Sequence, residues 1–258
     1  MSEWASRVSV VKRMIVTPAP VITDVRVRRS ADSLQTSPAL HFRQAPGVRR
    51  MKPAFLYFDL GNVLLSFSHE RMCRQMAAVA GVAAEEIRNA LMECGHSPSL
   101  QRQFESGQIN ALAVYELFCE QIGVRPDMHQ LFAAARDIFE MLPESYVLIE
   151  ELASAGHRLG IMSNTNPIDW EFVTAEYPWL RRRFQHAVLS YEVRAMKPDP
   201  AIYRAAVSRA GVPAGQVFFT DDRQENVEGA LAAGLDAVLF TSAADLRAAL
   251  RSRGILAS

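Results

Sequence analysis

The 258 residues are 49% hydrophobic and 22% charged, an ordinary composition for a soluble globular protein, and the length admits one large domain or a core with a smaller one inserted. No apolar run approaches the roughly 20 residues that span a bilayer, so no membrane segment is expected. The formal net charge is zero, but residues 1–50 hold nine Lys and Arg against three Asp and Glu; the acidic remainder argues against nucleic acid as the main partner.

Pro18, Pro20, Pro38 and Pro46 interrupt residues 1–50, and the apolar runs 8–11 and 21–22 are too short for a core. A disordered extension is expected, without chemistry of its own. It lacks the apolar stretch of a signal peptide, although its Arg-rich, acid-poor make-up also suits an organelle transit peptide. The three cysteines, Cys73, Cys94 and Cys119, share no metal-ligand spacing and read as reduced thiols of a cytoplasmic protein.

The stretch 54–65 organises the rest of the chain. Residues 54–58 are apolar and aromatic, too few for a helix, and predict a buried strand. The run ends on Asp59, and Gly61-Asn62 supplies turn chemistry. Ligands bind at the carboxyl ends of strands in an open parallel sheet, so Asp59 is a nucleophile or metal ligand, or else a turn former or helix cap.

Residues 68–142 read as helical throughout. Ser68 opens a helix that stops near Gly81, and 83–92 forms a second. A third over 98–106 is broken by Gly107, Asn110 caps 111–122, and Asp127 opens a helix to about Phe139. From Pro143 strands and helices alternate. A helix burying Val147, Leu148 and Leu152 precedes a strand at 159–162, and a helix near 169–176 precedes a strand at 187–189. A helix over 201–210, a strand at 217–219, a helix over 225–233, a strand at 237–240 and a helix over 243–253 complete the chain. Five strands joined by helices predict right-handed crossovers and a parallel sheet covered on both faces, an α/β, Rossmann-like core. The expected domains are the extension 1–50, the core 51–67 with 143–258, and a helical insertion 68–142.

Three strand or helix boundaries besides Asp59 carry polar groups: Ser163-Asn164-Thr165-Asn166, Lys197 before Pro198-Asp199-Pro200, and Asp221-Asp222 with Asn226. Each has an ordinary reading as a turn, a surface lysine or a helix cap. In this order, with Asp59, they resemble the four motifs of the haloacid dehalogenase (HAD) superfamily. The likeness is greatest to the subgroup whose first motif reads Asp-Leu-Gly-Asn, which includes bacterial phosphatases acting on glucose 1-phosphate, and it runs from about Lys52 to about Leu250.

The resemblance implies a phosphomonoester hydrolase acting on a small phosphorylated metabolite, a hexose 1-phosphate foremost. Asp59 is then the nucleophile that forms an aspartyl-phosphate. Mg²⁺ is held by Asp59, the Gly61 carbonyl and Asp222, with Asp221 and Asn226 supporting. Ser163 and Asn164 donate to the phosphate, Lys197 neutralises charge, and 68–142 forms a cap in which His69, Glu70, Arg71, Phe104 and Glu105 are candidates to face the substrate, His69 and Glu70 reading equally as a solvated first helical turn. The chain departs from the family at Gly61, where most members carry a second Asp as general acid and base. Two alternatives stay open: a metal-free dehalogenase, which the pair Asp221-Asp222 opposes, and a non-catalytic phosphometabolite-binding protein. No signal for an oligomeric state is present.

Overall fold

The computed structural model describes residues 52–93 and 98–257, within the compact unit Val48–Ser258; the extension expected over residues 1–50, and Cys94, lie outside them. The strands are β1 (Phe55–Phe58), β2 (Leu65–Phe67), β3 (Phe139–Met141), β4 (Leu159–Ser163), β5 (His186–Leu189), β6 (Val217–Asp221) and β7 (Asp236–Leu239). Five of them form a parallel sheet in the order β5-β4-β1-β6-β7. Successive strand residues face opposite sides, so β1 feeds two cores. Leu56 and Phe58 pack with Leu159, Ile161 and Phe218, while Phe55 and Tyr57 pack with Met162, Val217 and Phe219. A strand buried on both faces has no polar side to show, which explains its unbroken apolar run. Each such side chain contributes roughly 1.5–3 kcal/mol by burial.

Helices α6 (Pro143–Ser154) and α12 (Ala243–Arg251) cover one face through Leu148, Ile149, Leu152, Leu246 and Leu250. On the other face, α10 (Pro200–Ala210) and α11 (Gln224–Ala232) bring Ile202, Tyr203, Ala206, Val227 and Ala230. Val147, expected in this core, is 58% exposed instead; the buried stripe of α6 is Ser145, Leu148, Ile149 and Leu152, the helical spacing that leaves Val147 on the outer side.

Between β2 and β3 the chain forms α1 (His69–Ala80), α2 (Ala84–Arg88, running on into a π-helical turn Asn89–Glu93), α3 (Leu100–Glu105), α4 (Ala111–Ile122) and α5 (Met128–Arg136). Ser68, Asn110 and Asp127 cap α1, α4 and α5 by accepting from Arg71 N, Ala113 N and Gln130 N, each satisfying an orphan donor of the first turn. These helices enclose their own cluster, with Met72, Met76, Ile87, Leu100, Phe118 and Leu131.

Residues 139–141, expected as the end of a helix, instead pair antiparallel with β2, Phe67 opposite Phe139 and Leu65 opposite Met141. Strands of three residues carry too few side chains to declare a period of two. Two short helices, α8 (Trp179–Arg183) and α9 (Ser190–Val193), flank β5, and α7 (Pro167–Glu176) begins before the expected position 169 because Asn166 caps it. No helix among the described residues is long and apolar enough to cross a membrane.

Candidate active site

The order of the sheet reverses at β1, which has β4 on one side and β6 on the other. Such a switch point leaves a crevice beyond the carboxyl ends of the strands. Asp59 directly follows β1, Ser163 ends β4 and Asp221 ends β6, so the three motif segments converge there. A cavity of about 250 Å³ opens at this point, lined by Asp59, Gly61, Ser163, Asn164, Lys197, Asp222 and Asn226, which were expected there, among others.

The centre of the arrangement is Lys197. Its Nζ donates to Asp59 Oδ1 at 2.7 Å, Asp221 Oδ2 at 2.6 Å and the Met162 carbonyl at 2.9 Å. All three ammonium hydrogens are used, and the lysine and Asp221 side chains are 1% and 0% exposed. Burial alone disfavours the ammonium, but the charges of Asp59 and Asp221 hold Lys197 above its ordinary range. Burial pushes Asp59 up to about 7, against the pull of Lys197 and with Asp221 adding to the rise.

Asp221 uses its second oxygen as well, accepting from Arg223 N and Asn226 Nδ2, both at 2.9 Å. Asn226, named from the sequence as a supporting group, therefore fixes Asp221, and Asp221 fixes Lys197. Asp222 faces the cavity and accepts from Asn62 Nδ2 at 3.0 Å. Carboxylate oxygens of Asp59, Asp221 and Asp222 lie within 4.8 Å of one another. Three carboxylates against one ammonium leave an excess of negative charge, and hard oxygen donors of this kind suit Mg²⁺. Asp221 is fully buried and engaged by three hydrogen bonds; Asp59 and Asp222, with Gly61 beside them, line the cavity.

The side chain of Asn164 is tied to the lysine segment. Its Nδ2 donates to the Lys197 carbonyl at 3.0 Å and its Oδ1 accepts from the Lys197 N–H at 2.8 Å. The amide thereby positions the lysine. Ser163 is buried at the cavity wall, its hydroxyl making one long contact of 3.4 Å to the Asn164 carbonyl.

Of the residues expected from the helical segment, His69 and Glu105 line the cavity. Glu70 pairs with Arg74, and Arg71 with Asp137 and Glu140, on the surface. Phe104 lines a smaller apolar pocket that shares His69, Gln101, Ile138 and Asp169 with the main cavity. Sequence reasoning missed Asn62, Phe67, Gln101 and Asp169. The pattern Asn166-Pro167-Ile168-Asp169 signals a capped helix start, which is true of it, and so hides the fact that Asp169 also faces the cavity. Burial pushes Asp169 up to about 7, and the charge of Glu105 adds to that; burial likewise raises Glu105.

Comparison with known proteins agrees with this geometry. Residues 56–234 match the sequence model of a family described as haloacid dehalogenase-like hydrolase. The chain is 24% identical over 212 residues to a phosphatase of Mycobacterium tuberculosis, MT3486, covering 76% of this chain and 91% of that protein. It is 26% identical to flavin mononucleotide hydrolase 1 of Arabidopsis thaliana over 80% of each chain. Among solved structures, an HAD family enzyme of Bacteroides thetaiotaomicron, bt-2542, in complex with magnesium and inorganic phosphate superposes with a TM-score of 0.64 at 25% identity, covering 72% of this chain and 93% of that one.

Proposed function

The chain belongs to the haloacid dehalogenase-like hydrolases, and we propose that it is a Mg²⁺-dependent phosphatase of small phosphorylated metabolites, with a hexose 1-phosphate as the foremost substrate. The observation that carries this reading is Lys197 Nζ locked between Asp59 and Asp221, with Asp222 alongside, at the switch point of the sheet. One relative it resembles is named a phosphatase and another a flavin mononucleotide hydrolase, and the bt-2542 structure holds magnesium and phosphate.

In this reading Asp59 attacks phosphorus, the P–O bond to the leaving group breaks, and water then hydrolyses the aspartyl-phosphate. Lys197 keeps Asp59 oriented and offsets the charge that gathers as the dianion approaches. Mg²⁺, held by Asp59, the Gly61 carbonyl and Asp222, would supply the remaining neutralisation of carboxylate and phosphate. Ser163 stands at the wall where phosphate oxygens would lie, and Asn164 holds the lysine in place. The helical group over 68–142 acts as a cap that supplies His69, Gln101 and Glu105 to the leaving-group side. A dehalogenase needs no such concentration of carboxylates, which would repel a haloacid substrate.

The deciding experiment is a panel of phosphorylated metabolites incubated with the protein and Mg²⁺, with inorganic phosphate as the readout. Release that EDTA stops and Asp59→Asn abolishes supports the reading. Chloride release from a 2-haloacid without metal, and no phosphate release from any ester, overturns it.

A further inference from the structure

The family's usual acid at position 61 is glycine here, and the space it would use is closed. A Cβ built on Gly61 would stand 2.7 Å from Phe67 Cε1 and 3.2 Å from Cδ1. The ring of Phe67 packs on His69, centroids 5.0 Å apart, and on Phe139 at 6.2 Å. The loop after β1 thus holds an aromatic wall where most relatives would hold a proton donor. An alkoxide still needs a proton to leave, so the donor must stand elsewhere on the cavity wall.

Several groups are already committed. Lys197 has given all three hydrogens to Asp59, Asp221 and Met162. The Arg223 guanidinium pairs with Glu225. His69 Nε2 accepts from Gln101 Nε2 at 3.2 Å, so that nitrogen has no proton to give, and burial with the charge of Arg88 keeps the imidazole below the ordinary range. Asp222 pairs with Asn62 on the metal side.

That leaves Asp169 and Glu105. Asp169 sits in the first turn of α7, one helical turn from the Ser163–Asn166 loop. Asn166 holds it from two directions, donating from Nδ2 to Asp169 Oδ2 at 2.6 Å and accepting from Asp169 N at 3.0 Å. Glu105 comes from the end of α3 in the helical group and accepts from Gln101 Nε2 at 2.8 Å. Its backbone is tied to the same loop: Ser190 Oγ donates to the Glu105 carbonyl at 2.6 Å and accepts from Thr165 N at 3.0 Å. Two residues on, Gly107 at φ +68° lies so close to the Tyr191 carbonyl that no side chain fits. Asp169 from the core and Glu105 from the helical group therefore line one cavity where the two parts dock, and the charge of Glu105 acts on Asp169 there. Two acidic groups close together in a partly desolvated site do not both ionise readily.

Resting on the phosphatase reading above, we propose that Asp169, paired with Glu105 across the seam between the helical group and the core, is the proton donor to the leaving oxygen. As Asp59 attacks, the P–O bond breaks and its electron pair stays on the departing oxygen. That oxygen takes the proton from the Asp169 carboxyl, which becomes a carboxylate. Water then attacks the aspartyl-phosphate, gives a proton to Asp169, and releases inorganic phosphate with Asp59 restored as a carboxylate. The sum is ester plus water giving alcohol plus phosphate, with the acid regenerated. The groups facing the pair are Asn166, Gln101 and neutral His69, with Arg102 and Arg223 acting on Glu105 as positive charges.

The test compares two esters of similar size, p-nitrophenyl phosphate, whose phenol leaves without help, and benzyl phosphate, whose alcohol does not. The full-length protein is assayed with Mg²⁺ as wild type, Asp169→Asn and Glu105→Gln. In Asp169→Asn, the ratio of kcat/KM for the benzyl ester to that for the aryl ester should fall at least tenfold, towards the general-acid factor of about 10²–10⁴. A ratio unchanged in folded Asp169→Asn overturns the inference, whether both rates persist or both drop together. Glu105→Gln removes the neighbouring charge that keeps Asp169 protonated, so the alkaline limb of the benzyl ester pH profile should move to lower pH. A limb that stays in place overturns the inference too, and this variant decides if Asp169→Asn does not fold. If the wild type releases phosphate neither from these two esters nor from any member of the metabolite panel, the phosphatase reading itself falls.

Discussion

Replacing Gly61 with alanine is predicted to destabilise the protein through one ring. The backbone at Gly61 lies outside the left-handed region that favours glycine, so no conformational penalty attaches to a side chain. Reducing the entropy of the unfolded chain would by itself stabilise Gly→Ala by roughly 0.4–1 kcal/mol. Against this stands the Phe67 ring, 2.7 Å from the new Cβ and hemmed in by His69 and Phe139. Inserting a carbon into packed space costs about 1–3 kcal/mol, so the net effect is a loss, read as a Tm lower by up to about 10 °C for a domain of this size. In a Phe67→Ala background the same substitution should be neutral or stabilising. The double-mutant cycle, measured by urea unfolding, should return a coupling of about 1–3 kcal/mol. If Gly61→Ala costs the same with and without the ring, Phe67 is not what closes this space. The functional half follows: in an Asp169→Asn background, Gly61→Asp alone should not restore acid catalysis, whereas Gly61→Asp with Phe67→Ala has room for the new carboxyl and should raise the rate on sugar 6-phosphates relative to sugar 1-phosphates.

Lys197→Met leaves two buried carboxylates facing each other and should cost about 3–5 kcal/mol in urea unfolding, with phosphate release lost. Asp222→Asn should raise the Mg²⁺ concentration needed for half-maximal activity, while Asp221→Asn, which loosens Lys197, should lower kcat with a smaller change in that midpoint; equal midpoints for both variants would refute the division of roles. Gly107→Ala should destabilise by more than 1 kcal/mol on the scale of about 1–3 for a strained left-handed site and raise KM, since it pushes α3 away from Tyr191. Asp169 sits above the ordinary carboxyl range, at about 7, so the folded state binds more protons than the unfolded one between about pH 4 and 7. Its contribution is fully present at low pH and is lost as pH rises through 7. Unfolding curves at pH 5 and pH 8 should therefore show Asp169→Asn gaining stability relative to wild type at the higher pH.

The elements that could be read from the sequence are those whose chemistry is local. Asn110 and Asp127 announce their helices because a capping side chain is written next to the turn it caps. The apolar run of β1 announces a buried strand for the same reason. The pairing of β2 with β3 joins Phe67 to Phe139, and a contact so distant leaves no mark on either three-residue strand. The site divides in the same way. Asp59, Lys197 and Asp222 each sit at a recognisable strand or helix boundary. The tie between Asn164 and the Lys197 backbone joins residues 33 apart in sequence, and only the fold shows it. Glu105 is named from the sequence as a cap residue, whereas Asp169 passes for an ordinary acid of a first helical turn; what sets it apart is burial and the charge of Glu105, which no linear pattern records.

The placement of that acidic pair bears on how such a site would work. An acid at position 61 would belong to the same loop as the nucleophile and would be present whether or not the helical group was docked. An acid made from Asp169 and Glu105 exists only when α3 is seated against α9 and the Ser190 hydroxyl joins Glu105 to Thr165. Undocking would separate the carboxyls, remove the repulsion that keeps one of them protonated, and admit water to Asp59. Proton donation and solvent exclusion would then switch together, so an ester that fails to seat the helical group against the core would meet a nucleophile without an acid. Selectivity for the leaving group would thus appear in kcat for alkyl esters and fade for aryl phosphates, whose departure asks nothing of Asp169.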